Sequence, residues 1–286
     1  MARQPVRDLS EGVWQFQAPL WQTNSLLAVR GNEALLCDPA LLPNEIEAIR
    51  SEAAQRSHEV RCLLVTHADF DHVCGIPFFP EPEIVCGEET AEAIRTGAAD
   101  EGLRSAGIEW GAAWPGALRV NRVVAGGAEH ALGAFRVAAI DAPSHGREGL
   151  GYVLLDQGVL APGDHLSAIT YPLVGGPLAR AKGATARLLE ALDRHDLRWV
   201  VPGHGPALSP AEARTIGEAD LAYLDRLAVV ADEAVKRELA PGPALLHVYA
   251  VEPPRPTTPD FEVYEVRTGN ARQALVEAQD RSGSAP

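Results

Sequence analysis

Lysine is nearly missing from this chain: Lys182 and Lys236 are the only two in 286 residues, and the formal net charge is −14 at pH 7. Proteins that track nucleic-acid phosphates carry a basic stripe, and no such stripe is present, so nucleic acid is not an expected partner. A surface this acidic repels polyanions at a distance, although a small pocket can still admit one anionic group. Long apolar runs are missing as well. No window approaches the roughly 20 uninterrupted apolar residues of a membrane-crossing helix. The opening stretch MARQPVRDLSEGVW has basic residues but no apolar segment behind them. These absences lead us to expect a cytoplasmic protein without a membrane partner.

Cysteine is sparse and unpaired in pattern. Cys37, Cys62, Cys74 and Cys86 include no C-x-x-C, and reduced buried thiols are expected in a chain of this size. Three lie inside apolar, strand-like runs; Cys74, two residues past His72, is read as filler too. No G-x-S-x-G elbow, phosphate-binding loop or dinucleotide fingerprint occurs in a suitable context.

What remains is an ordinary globular composition, 46% hydrophobic and 22% charged, arranged as strands alternating with helices. VWQFQ (13–17), SLLAV (25–29), ALLCD (34–38), RCLLVT (61–66) and EIVCG (83–87) read as strands. Helices are expected from Asn44, which could cap the first, and over 88–97. Residues 98–118, rich in Gly and Ala, read as an irregular connection. VNRVVA, FRVAAIDA, GYVLLD and GVLAPGD then suggest a second sheet, followed by a helix near 183–194 and the strand RWVVPG. Ser209-Pro210-Ala211-Glu212 is a capping box with proline in the first turn. It opens a helix expected to run to about 240, where Pro241-Gly242 ends it, and a last helix is expected over 262–279. The domain reading is 1–210 as one α/β layered unit, with 211–286 a helical C-terminal extension packed on it.

Chemistry concentrates in Thr66-His67-Ala68-Asp69-Phe70-Asp71-His72, four potential metal ligands within six residues at the end of an apolar run. Imidazole nitrogens and carboxylate oxygens must converge to within about 2.0–2.2 Å of a divalent ion, and a tight loop at a strand end can aim several inward. The same layout, apolar strand then small residues then a ligand type, recurs at AIDAPSHG (His145), VLAPGDH (Asp164) and RWVVPGHG (His204). Glycines at such turns let the backbone bend sharply under the projecting side chain. His58, His130, His195 and His247 stand in polar or helix-end contexts and read as surface or capping residues.

In this order the motifs resemble the metallo-β-lactamase superfamily, whose signature H-x-H-x-D-H is followed by later His, Asp and His positions. The resemblance covers roughly residues 13–210. It implies an αββα sandwich of two mixed β-sheets flanked by helices, with the site along the edge between the sheets. It further implies a metal site one with His67 and His145 and a site two with Asp71, His72 and His204. Asp164 would bridge the two, and Asp38 would support the ligands from behind. One or two divalent ions are expected, zinc foremost, with iron or manganese as alternatives. The departure from the signature is Asp69, which stands where the family has histidine. An oxygen donor there either gives site one a harder ligand set or weakens it.

The expected activity is hydrolysis of a small-molecule ester, thioester, lactone or phosphoester by hydroxide formed on a metal, with Asp71 and Asp164 as the catalytic carboxylates. His165, Tyr171 and Arg147 are candidates for protonating a leaving group or meeting an anionic substrate. Phe78, Phe79, Trp110 and Trp114 could line an apolar pocket or simply pack. Two other readings stay open: an iron-dependent oxidoreductase resembling persulfide dioxygenases or flavodiiron proteins, and a non-catalytic metal- or ligand-binding protein. The loops at 98–118 and 167–182 and the helical end are where specificity would sit; the substrate and the oligomeric state are not readable from sequence.

Overall fold

The computed structural model describes residues 6–55, 59–145, 148–257 and 263–283. Arg147 and His58 lie outside the described residues.

Two sheets face each other. The first has seven strands in chain order: β1 (Val6–Ser10), β2 (Val13–Gln17), β3 (Asn24–Arg30), β4 (Glu33–Cys37), β5 (Glu59–Leu64), β6 (Glu83–Cys86) and β7 (Arg122–Val123). Hairpins make β1 to β4 antiparallel, and crossovers make β4 to β7 parallel. The second sheet is built from β8 (Ala128–Leu132), β9 (Phe135–Ser144), β10 (Glu148–Leu154), β11 (Val159–Ala161) and β12 (Trp199–Val200), in the order β12-β11-β10-β9-β8.

The apolar runs follow from burial on both faces. In consecutive pairs such as Leu26/Leu27, Leu35/Leu36 and Leu64/Leu63, the first-named side chain points between the sheets. There it meets Phe135, Val137, Tyr152 and Leu154. The second-named points outward to the layer of helices α1 (Pro43–Gln55), α3 (Glu88–Arg95) and α4 (Ala98–Glu109), through Ile46, Ile49, Ile94 and Leu103. On the other side, Val153 and Leu160 face Leu188 and Leu192 of α5 (Leu178–Arg194). The result is the expected helix–sheet–sheet–helix sandwich.

Several local expectations change. Residues 98–109 form α4, preceded by the single-turn α2 (Phe70–Val73) inside the ligand loop. Glycines 102 and 107 argue against a helix there. However, Ala99, Leu103 and Ala106 share a buried face, and Gly107 leaves room for the Trp114 ring, which a Cβ would meet at 3.1 Å. The first helix starts at Pro43, not behind an Asn44 cap; Glu45 instead accepts from the Leu42 amide at 3.0 Å. β1 is an additional strand, and α5 begins five residues earlier than expected, at Leu178.

Ser209 and Glu212 do form the reciprocal capping box that opens α6 (Pro210–Lys236). Pro241 ends nothing further along: it takes the first turn of a new helix, α7 (Pro241–Tyr249), where its missing N–H costs no bond. α8 (Val263–Ser282) packs against α6 and α7. Among the described residues, no helix is long and apolar enough to cross a membrane.

Candidate metal centre

Four strand ends meet at one edge of the sandwich. His67 follows β5, His145 follows β9, Asp164 follows β11 and His204 follows β12, while α2 carries Asp71 and His72 with Asp69 as its preceding residue. Small residues make the approach possible. A Cβ on Gly203 would lie 2.1 Å from Asp164 Oδ1 and 2.9 Å from His72 Cε1, so only glycine lets this backbone pass behind the ligands.

The seven side chains divide into two half-sites around Asp164. On one side, His145 Nε2 lies 2.8 Å and His67 Nε2 3.5 Å from Asp164 Oδ2, while Asp69 Oδ2 is 3.4 Å from His145 Nε2 and 3.7 Å from His67 Nε2. On the other, His72 Nε2 and His204 Nε2 lie 3.1 and 3.4 Å from Asp164 Oδ1, and each is 3.6 Å from Asp71 Oδ2. Donors about 2.0–2.2 Å from a tetrahedral ion sit roughly 3.3–3.6 Å from one another; six of the eight separations, at 3.4–3.7 Å, are close to such edges, while His145–Asp164 and His72–Asp164 are drawn in to hydrogen-bonding distance. Each half-site offers two imidazole nitrogens, one carboxylate of its own and one oxygen of Asp164.

The free valences point the same way. His67 Nε2, His72 Nε2 and Asp164 Oδ1 are buried without a well-aligned hydrogen bond among the described residues, facing one another at the centre, a costly state unless something else satisfies them. Grouped by reach, His67, Asp69 and His145 can hold an ion, as can Asp71, His72 and His204, and a third group, His67, His72 and Asp164, spans the two half-sites. The donor set and spacing therefore fit divalent metal.

Behind the donors, each of three imidazoles is oriented through its other nitrogen. Asp38, buried and just past β4, accepts from the Thr66 amide at 2.9 Å, from Thr66 Oγ1 at 2.7 Å and from His72 Nδ1 at 3.1 Å. Thr66 Oγ1, its own proton given to Asp38, accepts from His67 Nδ1 at 3.0 Å. His204 Nδ1 donates to the Trp21 carbonyl at 3.1 Å. With Nδ1 protonated in all three, the Nε2 lone pairs face the centre, the arrangement that metal-bound histidines require. Thr66 and Trp21 bond to these imidazoles, and sequence reading passes over both. Thr66 carried a signal, adjacency to His67; a backbone carbonyl such as that of Trp21 carries none.

The carboxylates demand positive charge. Burial alone lowers the His72 and His204 values, yet Asp71 and Asp164 raise both above the ordinary histidine value. His145, likewise opposed by burial, is carried up to about 9 chiefly by its bond to Asp164. Asp164 is held well below the usual carboxylate range: burial works against this, but His204, His72 and His67 outweigh it. Protons on the imidazoles thus occupy the electrostatic role that metal ions can take over.

The remaining candidates fall elsewhere. His165 donates Nε2–H to the Pro143 carbonyl at 3.1 Å, and burial pushes its value down to about 4, so it is neutral and committed at neutral pH. Tyr171 is buried in the helical core, edge-on to Tyr223 with 5.7 Å between ring centroids. His165 is thus engaged by a backbone carbonyl, and Tyr171 by the helical core. Cys74 is buried, with its thiol 3.5 Å from the Pro39 and Asp71 carbonyls, as filler should be. Phe79 is core, whereas Trp110 is half-buried and packs with Trp21 and Phe70 at 5.6 and 5.2 Å beside the ligand loop.

Comparison with known proteins places the sandwich. The sequence profile described as the metallo-beta-lactamase superfamily matches residues 18–204. No curated protein matches the chain. Among solved structures, a metallo-beta-lactamase family protein from Thermus thermophilus aligns with a TM-score of 0.62 at 20% identity, covering 96% of this chain and 95% of its own. The metallo-beta-lactamase from Pontibacter korlensis aligns with a TM-score of 0.57 at 17% identity over 78% of this chain and 99% of its own. FIM-1 from Pseudomonas aeruginosa, solved in a mono-zinc form, aligns at 0.56 and 17% over 76% and 96%.

Proposed function

Because the chain belongs to the metallo-β-lactamase superfamily, we propose that it is a metal-dependent hydrolase of a small-molecule ester, thioester, lactone or phosphoester, with His67, Asp69, His145 and Asp164 at one half-site and Asp71, His72, His204 and Asp164 at the other. The observation that carries this reading is the pair of half-sites, each with two imidazoles and a carboxylate of its own, about one shared carboxylate. Zinc is the first ion to test, since FIM-1, a protein of similar fold, was solved in a mono-zinc form.

Bound divalent metal supplies acidified water at neutral pH and positive charge for the developing oxyanion. The residues do the rest. Asp164 directs one oxygen to each half-site and so fixes their separation. Asp71, 6% exposed, holds negative charge beside the place where water would be activated. Asp38 and Thr66 lock His67 and His72 against rotation. Asp69, with nearly half of its side chain exposed, and His145 beside it are the proposed ligands that open most toward solvent, and substrate would enter from that side.

A screen of esters, thioesters, lactones and phosphoesters with the metal-loaded protein tests the proposal. Asp71→Ala and His72→Ala should lose nearly all turnover while keeping the wild-type circular dichroism spectrum. Full turnover in both variants would move the chemistry elsewhere. One observation favours a second reading, redox chemistry at iron: the oxygen donor of Asp69 aimed into its half-site. Oxygen consumption by iron-loaded protein, with no hydrolysis in the screen, would select it.

A further inference from the structure

We propose that the helices beyond residue 204 position the metal centre through the stretch 165–178, and that Asn270 is the principal positioning residue. This rests on reading the seven-residue cluster as a metal centre. The family profile ends at residue 204, so nothing in the match accounts for what α6, α7 and α8 contribute.

Residues 165–177 run from Asp164 to the start of α5 at Leu178 without a strand or helix of their own, so their backbone groups need partners from elsewhere. The helical segment provides them at three points. Asn270 of α8 is fully buried; its Oδ1 accepts from the Val174 amide at 2.8 Å and its Nδ2 donates to the Pro172 carbonyl at 2.7 Å. One side-chain amide thereby pairs with the backbone on both sides of Leu173, as a neighbouring strand would. Nδ2 also reaches Tyr223 Oη of α6 at 3.3 Å. Arg255, held by the buried carboxylate of Asp220 at 2.8 Å, donates Nε–H to the Thr170 carbonyl. Glu277 accepts from the Leu178 amide at 2.8 Å and so caps the first turn of α5. Tyr171, Val174 and Leu178 bury their side chains in the same helical core.

The near end of the stretch touches a ligand. Ser167 Oγ, 1% exposed, donates to the His204 carbonyl at 2.8 Å and accepts from the amides of Ile169 and Thr170 at 3.2 and 3.3 Å. Ile169 fills the space over Gly205, where a Cβ would meet its Cγ1 at 3.0 Å. Thr170 thus donates its amide to Ser167 Oγ, which in turn donates to the His204 carbonyl, and its own carbonyl accepts from Arg255. The helical segment and the backbone of His204 are joined by a chain of buried and half-buried hydrogen bonds. Groups that orient ligands from behind typically change metal affinity 10- to 100-fold.

The full-length protein is stripped with chelator and titrated with zinc against a chromophoric chelator, then with cobalt, whose visible bands report ligand geometry. Asn270→Ala and Ser167→Ala should each weaken one of two zinc equivalents about tenfold and shift the cobalt bands. Asn270→Ala should also speed amide exchange across 170–178. Arg267→Ala serves as the comparison. Its guanidinium joins α8 to the Tyr249 carbonyl of α7 at 2.7 Å, and none of its hydrogen bonds among the described residues reaches 165–178. It should lower the melting temperature but leave zinc affinity and the cobalt spectrum unchanged. If Asn270→Ala does not fold, Ser167→Ala carries the test alone. Wild-type zinc affinity in Ser167→Ala and Asn270→Ala, or equal weakening in Arg267→Ala, would overturn the inference. If the wild-type protein takes up no metal, the reading of the cluster fails first, and the inference fails with it.

Discussion

His72 Nδ1 lies 3.1 Å from Asp38 Oδ2, and the same carboxylate takes two hydrogen bonds from Thr66. Three donors converge on one buried anion, and two of the imidazoles of the centre depend on it, His67 indirectly through Thr66 Oγ1. Asp38 has φ = 47°, a left-handed backbone that aspartate and asparagine tolerate better than most residues. Asp38→Asn therefore keeps backbone and volume but leaves three donors facing one oxygen and an NH2 group. Metal affinity should fall 10- to 100-fold with little change in circular dichroism. Competition with a chromophoric chelator measures it; unchanged affinity would show that the imidazoles hold their orientation without Asp38.

Gly203 predicts a sharper loss. Its Cα stands where a methyl group would overlap Asp164 Oδ1 and crowd His72, and both belong to the proposed ligand set. Gly203→Ala must push Asp164 or the β12 turn aside. The change is small beside the core, so elemental analysis should show most of the metal gone from a protein that still folds cooperatively. Two full equivalents of metal in the alanine variant would mean that the centre tolerates a shift of about an ångström.

How much of this is legible in sequence depends on what kind of signal carries it. The apolar runs ending in His67, His145, Asp164 and His204 mark strands covered on both faces, and a strand end covered by both sheets is where a side chain can be aimed along the edge. Order along the chain then groups the ligands. α4 and α7 are not legible for opposite reasons. Gly102 and Gly107 lower helix propensity where tertiary packing of Ala99, Leu103 and Ala106 decides the matter. Pro241 is a stop signal for one helix and a start signal for the next. Asn270, fully buried and bonded to Pro172 and Val174, is invisible in sequence because its partners are backbone groups nearly a hundred positions away.

His165 gives a pH dependence with a definite sign. Burial lowers its value to about 4, from the 6.5 of an exposed histidine. Between those values the unfolded chain binds a proton that the folded chain refuses, so this contribution to stability is complete above about pH 6.5 and is lost as pH falls toward 4. In His165→Asn that component disappears. Chemical denaturation at a series of pH values should show a shallower decline between pH 6.5 and 4 for the variant than for wild type under the same metal conditions. Parallel curves would mean that His165 protonates without penalty.

Asp69 is where the chain departs from the H-x-H-x-D-H pattern, and the geometry gives that departure a consequence. Its Oδ2 lies 3.4 Å from His145 Nε2 and 3.7 Å from His67 Nε2, within reach of an ion that those two imidazoles could hold. As a ligand, Asp69 would make the two half-sites alike in composition, each with two nitrogens and two oxygens, and would bring three carboxylates into one centre. Oxygen donors suit manganese and iron better than soft ligands do, and a third negative charge strengthens the demand for two divalent ions over one. Asp69→Ala should cost the half-site of His67 and His145 most of its metal and leave the other loaded. Asp69→His should restore occupancy while moving the preference from manganese or iron toward zinc. Parallel titrations of the three proteins with zinc, iron and manganese, read by elemental analysis, decide between a ligand and a bystander. If Asp69→Ala retains both equivalents and the wild-type order of preference, Asp69 is a solvent-facing carboxylate and the centre is completed without it.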